Sequence, residues 1–286
     1  YASLKAASRS IKKTKLSINL KILDKTYTAS VWEGRLGKKT KVLLIEENDL
    51  LTREGIYGNE SGDWPDNLER FTFFCKAAIK LCSRLDIKPD IFHCNDWQTA
   101  LIPVYLKTEF KNNITFKDTT SVFTIHNLSY QGIFPKEKWN VLGLSDKLFS
   151  PENFEYYGKI NLMKGGVIYS DAITTVSRKY AKEIQSEKAG CGLEGLIKHY
   201  SFKLTGIING VDYDDWDPTK DPFIAANYSR RSITGKPRCK EALQEKFGLP
   251  TKPAVPLIGM ISRLVEQKGF DVLIENLNKL LKKNLQ

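Results

Sequence analysis

Residues 121–127 (SVFTIHN) decide the fold prediction, because an apolar strand ends there in two polar side chains. Residues 91–97 (IFHCNDW) show the same pattern earlier in the chain. Helical patterns at residues 98–107 and 161–169 lie on either side of residues 121–127. Short apolar strands that alternate with helices are typical of parallel sheets covered on both faces. We therefore predict an α/β fold.

The alternation extends along most of the chain. Strands are predicted at residues 18–23, 27–32, 41–45, 91–93, 121–125, 172–176, 204–208 and 257–261. Helices are predicted after the N-cap candidate Asp66 and at residues 98–107, 161–169, 179–185, 239–247 and 270–281. Because the polar stretch at residues 213–236 interrupts this order, we expect two lobes, residues 1–204 and 205–286.

Composition restricts the class of protein. The 286 residues are 41% hydrophobic, and no apolar run approaches the roughly 18 residues of a membrane span. The five cysteines are scattered, which suggests free thiols in a reducing compartment. The net charge of +11 is spread along the chain without an aromatic-interleaved basic repeat, so nucleic acid and membrane partners are not expected.

The two ends of the sequence resemble internal positions. Tyr1 is not a methionine, and residues 280–286 stop inside a helical pattern. We expect a fragment that is open at both ends.

Polar residues follow five predicted strands in turn. They are Asp96, His126, Ser177, Asn209 and Arg263. Ligands of doubly wound sheets bind beyond the carboxyl ends of the strands. Ser177 alone is best explained as a helix N-cap, and Asp96 is alternatively one too. The five together indicate a polar ligand.

A structural role and a metal-ligand role are the alternatives for His126. A histidine at the end of a strand is often a structural residue with satisfied hydrogen bonds. His93 closes the neighbouring predicted strand, which makes zinc ligation conceivable. A third His or Cys at matching spacing is lacking, so we predict no metal site.

Arg263 and Lys268 lie where a strand gives way to a loop and a helix. A lysine at a helix N-terminus opposes the helix dipole, and a bound diphosphate resolves that conflict. The alternative is a solvated surface pair. Residues 212–215 (DYDD) match a metal-binding D-x-D but are more often a turn, and residues 164–166 (KGG) are better explained by helix packing.

Four motifs together resemble those of glycogen and starch synthases that use ADP-glucose, in glycosyltransferase family 5. They are residues 93–98 (HCNDWQ), 124–132 (TIHNLSYQG), 209–212 (NGVD) and 262–269 (SRLVEQKG). The resemblance extends from about residue 33 to residue 281. It implies the GT-B fold, two Rossmann-like lobes with the site in the cleft between them, here with the second lobe truncated. The family's opening Lys-x-Gly-Gly-Leu loop and its late Glu motif have no match.

The resemblance also implies roles for residues. His126 and Asp96 match the donor-glucose pocket, and Arg263 and Lys268 match the pair on the donor diphosphate, so these four form the catalytic set. Asn209 matches a residue beside the donor. Tyr57, Trp97 and Asn127 match groups that line the acceptor side. Asn95 stands where histidine is common, and little is expected from this difference.

The implied reaction is transfer of glucose from ADP-glucose to the non-reducing end of an α-1,4-glucan, glycogen or starch, with retention of configuration. No cofactor is implied. The fragment alone is expected to be inactive. A cytoplasmic location is implied for a bacterial source, and a plastid for a plant or alga. The alternatives are another GT-B transferase with a different donor or acceptor, and a non-catalytic truncated copy that binds glycans.

Overall fold

The computed structural model describes residues 11–37 and 39–286. The chain divides into two compact units, Tyr1–Asn209 and Gly210–Gln286. The division follows Asn209, whereas the sequence predicts the change of lobe at residue 204. It lies later because the strand that begins at Leu204 pairs within the first unit.

Twelve strands lie in the described part of the first unit. They are β1 Lys12–Ile22, β2 Lys25–Leu36, β3 Thr40–Glu46, β4 Gly58–Asn59, β5 Gly62–Asp63, β6 Ile91–Asn95, β7 Thr120–Ile125, β8 Ile133–Pro135, β9 Glu155–Tyr156, β10 Lys159–Asn161, β11 Ala172–Thr175 and β12 Leu204–Gly206.

Eight α-helices lie in the described residues. They are α1 Asn67–Arg84, α2 Leu101–Lys107, α3 Leu162–Tyr169, α4 Arg178–Glu183, α5 Glu187–Gly190, α6 Glu194–His199, α7 Lys236–Lys246 and α8 Phe270–Leu281. Short 3-10 turns occur at Trp97–Thr99, Lys136–Leu142, Asp146–Leu148, Ser201–Lys203 and Glu266–Lys268. None of the helices described is both long and apolar enough to cross a membrane.

A four-stranded parallel sheet lies at the centre of the first unit. Its strand order is β12-β11-β7-β6, and all neighbouring pairs are parallel. Phe123 and Ile125 of β7 and Ile173 of β11 are almost fully buried on one face. On the other face Ile91 is 56% exposed, so the prediction of a sheet covered on both faces is wrong for β6 in the residues described.

Helix α1 is buried more completely than an amphipathic stripe requires. It packs against β1, β3, α2 and two of the 3-10 turns. Phe71 and Leu81 are buried, and so are Phe73 and Ile79, which lie on other sides of the helix. An element enclosed from several sides buries most of its circumference rather than a single stripe.

Asp66 takes the N-cap position of α1, as predicted, and its backbone carbonyl accepts from Arg70 N at 3.0 Å. Its side chain makes no capping hydrogen bond. Its two carboxylate oxygens instead accept from the Arg53 guanidinium at 2.7 and 2.6 Å. Burial opposes ionisation of Asp66, but the Arg53 hydrogen bonds outweigh it and lower the pKa of the carboxyl group. The Asp66 carboxylate therefore forms a bidentate ion pair with Arg53 in place of a capping hydrogen bond.

The first three strands, which the sequence predicts as strands without giving their pairing, form an antiparallel sheet in the order β1-β2-β3. Ile18 and Ile22 of β1 and Ala29 and Val31 of β2 are buried. These residues join the same core as α1. The sheet therefore anchors the helix that precedes the parallel strands.

The second unit contains α7 and α8 and no strand in residues 210–286. The strand predicted at residues 257–261 is wrong, because no described segment pairs with it as a ladder. Ile258 N donates to Gln286 O at 2.7 Å, and Gln286 N donates to Pro256 O at 2.8 Å. Ile261 is fully exposed. Helix α8 spans Phe270–Leu281, as predicted, whereas residues 282–286 do not continue the helical pattern.

Gly166 of α3 gives the first testable prediction. A Cβ there would lie 2.7 Å from the Phe123 ring and 2.9 Å from Ala100 Cβ, which a packed core cannot absorb without a shift. We expect Gly166→Ala to lower the free energy of unfolding by about 1–3 kcal/mol, measured by denaturant titration.

Gly195 of α6 is the matched control, because an added Cβ meets nothing within 4 Å. Gly195→Ala should raise the free energy of unfolding by up to about 1 kcal/mol, as helix propensity dictates. A stabilising Gly166→Ala would show that α3 does not rest on the sheet in this way.

Candidate active site

The carboxyl ends of the four parallel strands lie at one edge of the sheet. Asp96 directly follows β6, and His126 directly follows β7. Ser177 lies two residues beyond β11, and Asn209 lies three residues beyond β12. The first unit thus brings four of the predicted strand-end residues to one edge.

Asp96 and His126 are in direct contact. The backbone N–H of His126 donates to Asp96 Oδ1 at 2.8 Å. The His126 ring is exposed, and its Nε2 lies 3.0 Å from Asn95 Oδ1. The predicted histidine and aspartate therefore share one polar cluster, with the histidine ring open to a ligand.

The backbone of Asp96 is strained. Its φ of 57° and ψ of −178° lie in a region that is almost restricted to glycine. The conformation is held by Asp96 N, which donates to Thr124 O at 2.9 Å, and by the carboxylate bond to His126. Asp96 precedes the 3-10 turn Trp97–Thr99 without capping it by its side chain, so the alternative role as a cap is wrong.

Three aromatic rings contact one another in succession, starting from Trp97, which directly follows Asp96. Trp97 is only 8% exposed, and its ring meets the Phe71 ring edge-on at 4.8 Å. Gly132 lies so close to Trp97 that a Cβ there would approach the ring to 2.5 Å. The Tyr57 ring lies 6.3 Å from Phe71 and is 48% exposed. Of the predicted aromatic pair, Tyr57 offers an accessible face, whereas Trp97 mainly supports it through Phe71.

The loop after His126 is fixed by local hydrogen bonds. Asn127 Oδ1 accepts from Ser129 N at 3.0 Å, and Leu128 N donates to the Tyr180 hydroxyl at 3.0 Å. Tyr180 N in turn donates to Ser177 Oγ at 2.9 Å, which confirms Ser177 as the N-cap of α4. Asn127 and Ser177 thus shape the edge of the sheet from two sides.

His93 is held differently from His126. Its Nε2 lies 2.7 Å from Thr124 Oγ1, which lies 2.6 Å from Thr174 Oγ1 on the next strand. Within residues 11–37 and 39–286, no three His, Cys, Asp or Glu side chains are grouped to hold a metal ion. The His93 ring therefore contacts a threonine hydroxyl within the sheet, whereas the His126 ring contacts the Asn95 amide.

Arg263 and Lys268 lie in the second unit and are exposed. Arg263 O accepts from Val265 N at 2.9 Å, and Lys268 closes the 3-10 turn that precedes α8. Helix α8 begins at Phe270, after Gly269 with φ of 71°. The strand-end role predicted for Arg263 has no strand behind it, and convergence of the two cations on one anion stays a prediction.

Two motifs set aside in the sequence behave as predicted. Lys164 is buried, and its ammonium donates to the carbonyls of Pro151 and Glu155 at 2.5 and 2.6 Å. Gly165 and Gly166 face the rings of Phe154 and Phe123. Residues 212–215 form a turn in which Asp214 N donates to Asp212 Oδ1 at 2.9 Å.

Asn95 is the site residue that sequence reasoning missed. The sequence predicts no role for Asn95, although it directly precedes Asp96. The available signal was its position as the last residue of a strand whose neighbour ends in His126. Only the paired register of β6 and β7 shows that its side chain reaches the His126 ring.

The strain at Asp96 generates the second prediction. Asp96→Ala and Asp96→Gly both remove the carboxylate, but only glycine accepts the backbone conformation without cost. We expect Asp96→Gly to exceed Asp96→Ala in free energy of unfolding by about 1–2 kcal/mol, measured by urea titration.

Asp118, whose φ is not positive, supplies the control pair. There the alanine variant should be the more stable by about 0.4–1 kcal/mol, the usual order. The same order at residue 96 would mean that the backbone there is not strained.

Comparison with known proteins places this geometry in a family. The model for the starch synthase catalytic domain matches residues 1–199. Glycogen synthase 2 of Geobacter sulfurreducens is 44% identical over 276 residues, 96% of this chain and 57% of that protein. Glycogen synthase 2 of Geobacter metallireducens is 41% identical over 286 residues, 100% of this chain and 59% of that protein.

A solved structure extends the similarity to three dimensions. The catalytic domain of starch synthase IV from Arabidopsis thaliana, bound to ADP and acarbose, matches with a TM-score of 0.87 and 31% identity. The match covers 97% of this chain and 57% of that one, and it confirms the predicted GT-B fold. This chain spans 57–59% of the length of these relatives. The chain belongs to the starch synthase catalytic domain family, glycosyltransferase family 5.

Proposed function

We propose that this chain forms part of a glycogen or starch synthase that transfers glucose from ADP-glucose to the non-reducing end of an α-1,4-glucan with retention of configuration. The contact between Asp96 and His126 at the carboxyl edge of the sheet carries the proposal. The names of the Geobacter relatives and the ADP and acarbose bound to the Arabidopsis domain support it.

His126 and Asp96 suit a role in holding the donor glucose. Sugar hydroxyls can donate hydrogen bonds, and an imidazole nitrogen and a carboxylate oxygen both accept them. As the anomeric bond breaks, the sugar gains oxocarbenium character, so a fixed carboxylate nearby stabilises the transition state more than the ground state. Asp96 is fixed by its bond to the His126 backbone rather than by a flexible ion pair.

Arg263 and Lys268 are proposed to stabilise the leaving diphosphate. Negative charge grows on that group as the glycosidic bond breaks, and two cations can offset it without a metal ion. Both side chains are exposed in the second unit and so accessible to an anion. We further propose that no cofactor is needed beyond the sugar nucleotide and that the protein works in the cytoplasm, or in the plastid of a plant or alga.

The acceptor side is assigned to Tyr57, Trp97 and Asn127, with Asn209 beside the donor. Tyr57 supports this assignment, because an aromatic ring that is 48% exposed presents a flat apolar face to a sugar ring. The Phe71 ring lies tilted against the Tyr57 ring at 6.3 Å, and the Trp97 ring meets the Phe71 ring edge-on at 4.8 Å. Trp97 thus contributes to acceptor binding by supporting Tyr57.

A chimera, called the exchange protein below, tests the proposal. In glycogen synthase 2 of Geobacter sulfurreducens, the segment aligned with this chain is replaced by this chain, and glucose incorporation into glycogen is measured. We expect transfer from ADP-glucose, and a large loss with His126→Ala. His199→Ala is the matched control, because His199 lies on α6 against Tyr200 and should leave the rate unchanged.

Two results would contradict the proposal. Transfer from a different sugar nucleotide alone would indicate another GT-B transferase. Glycogen binding without transfer from any donor would indicate a non-catalytic glycan-binding copy.

The diphosphate role gives a further prediction in the same exchange protein. Arg263→Ala or Lys268→Ala should lower kcat/KM by roughly two to three decades, about 3–4 kcal/mol, as expected for loss of a preorganised charge. Lys268→Arg should rescue poorly, because a planar fork does not reproduce a compact ammonium. Lys282→Ala, another exposed cation of the second unit, is the control.

Chelation separates this mechanism from a metal-dependent one. EDTA should leave the rate unchanged, since the two cations act in place of a metal ion. Loss of transfer in EDTA with recovery in magnesium would assign Asp212 and Asp214 as metal ligands instead.

A further inference from the structure

Two consecutive residues hold His126 at two different points. Asp96 Oδ1 accepts from the backbone N–H of His126 at 2.8 Å, and Asn95 Oδ1 lies 3.0 Å from Nε2 of the ring. In a regular strand, consecutive side chains point to opposite faces of the sheet. Asn95 and Asp96 could not both reach one neighbour from such a strand.

The backbone of Asp96 removes this obstacle. Asn95 is the last residue of β6 and pairs with Thr124 in the ladder. At Asp96 the φ changes to 57°, and the alternation of the strand stops there. The Asp96 carboxylate can then turn to the same neighbour as the Asn95 amide. The strain therefore has a geometric result, which is a two-point hold on one histidine.

We propose that Asn95 is a positioning residue that fixes the orientation and the tautomer of the His126 ring. The proposal rests on the proposed function, in which His126 contacts the donor sugar. Asp96 fixes the position of the His126 backbone, and Asn95 fixes the rotation of the His126 ring. Neither task can be done by the other, because a backbone bond leaves the side-chain torsions free.

The contact determines which ring nitrogen carries the proton. A carboxamide oxygen only accepts hydrogen bonds, so with Asn95 Oδ1 against the ring we infer that Nε2 is the donor. Nδ1 is then the ring atom of the neutral imidazole that accepts from a ligand. His126 consequently presents a hydrogen-bond acceptor, which suits a sugar hydroxyl as its donor.

An amide suits this role better than an ionisable group. Asn95 carries no charge that changes with pH, so it holds the ring without adding a titration of its own. Two further hydrogen bonds hold this segment, from His126 N to the Asp96 carboxylate and from Leu128 N to the Tyr180 hydroxyl. Neither of these two bonds involves the ring, whereas the bond to Asn95 does.

Nuclear magnetic resonance of the 286-residue chain tests the inference without any substrate. The chain has three histidines, so the ring signals can be assigned from single substitutions. We expect the His126 ring to be protonated at Nε2 in the neutral form, from its nitrogen shifts. The order parameter of its Cδ2–H bond should be near 0.8 and should fall below about 0.6 in Asn95→Ala.

Two variants separate positioning from a general structural effect. Asn95→Asp keeps an acceptor oxygen and should keep the ring ordered. Thr124→Val removes the hydroxyl next to His93 and should loosen that ring while His126 stays ordered. A ring protonated at Nδ1, or an order parameter unchanged in Asn95→Ala, would overturn the inference.

A double-mutant cycle in the exchange protein links the contact to the reaction. Asn95→Ala should lower kcat/KM about ten-fold when His126 is present and leave it unchanged in the His126→Ala background. Equal losses in both backgrounds would show that Asn95 does not act through His126. An exchange protein that transfers no glucose, with the ring ordered as described, would overturn the proposed function and leave the hold on His126 standing.

Discussion

The hydrogen bond from the backbone of His126 to the Asp96 carboxylate joins two strands at the point where their ladder ends. The last ladder pair is Asn95 with Thr124, and Asp96 N extends it by one bond to Thr124 O. The next N–H, that of His126, has no strand residue opposite it. A side-chain carboxylate takes the place of the missing carbonyl, and a charged acceptor makes the stronger bond. The Asp96 carboxylate of the polar site thus satisfies a backbone N–H group that the ladder leaves without a partner.

Packing of helix α3 against the sheet restrains the end of β7. Phe123 lies in β7 three residues before His126, and Gly166 of α3 rests against its ring. Gly165 of the same helix rests against Phe154. Two glycines in a helix cost propensity, but here they let the helix approach the sheet closely. That close approach limits the movement of β7, and so of the residue that ends it.

Sequence reasoning recovered what depends on local pattern and missed what depends on pairing. The strands at β6, β7 and β11 and the helices between them were found because hydrophobic periodicity reports them directly. Residues 257–261 have the same apolar character but no described ladder partner, and pairing cannot be read from one strand alone. The position of Asp66 before α1 could be predicted, but the Arg53 guanidinium that binds its side chain could not, because it lies 13 residues earlier in the chain.

The candidate site divides in the same way. Asp96 and His126 could be found because each follows an apolar strand. Asn95 could not be found, because its contact with His126 depends on the positive φ of Asp96. An aspartate adopts a positive φ more often than most residues do, but its presence in a sequence does not show that it does so. The burial of Trp97 was likewise hidden, since it depends on Phe71 and Gly132 from distant segments. Local strain and long-range enclosure are set by the whole fold.

The cysteines offer an experimental handle on the loop that follows His126. All five are free, and Cys191 is the exposed one. Burial raises the pKa of the Cys94 thiol to about 12 and that of Cys75 further, which suppresses their reaction with alkylating reagents. Cys191 Sγ lies 3.5 Å from Oγ of Ser129, and Ser129 belongs to the loop that carries His126 and Asn127. A maleimide fluorophore would therefore attach preferentially at this turn, and its emission would report any movement of the loop when a ligand binds.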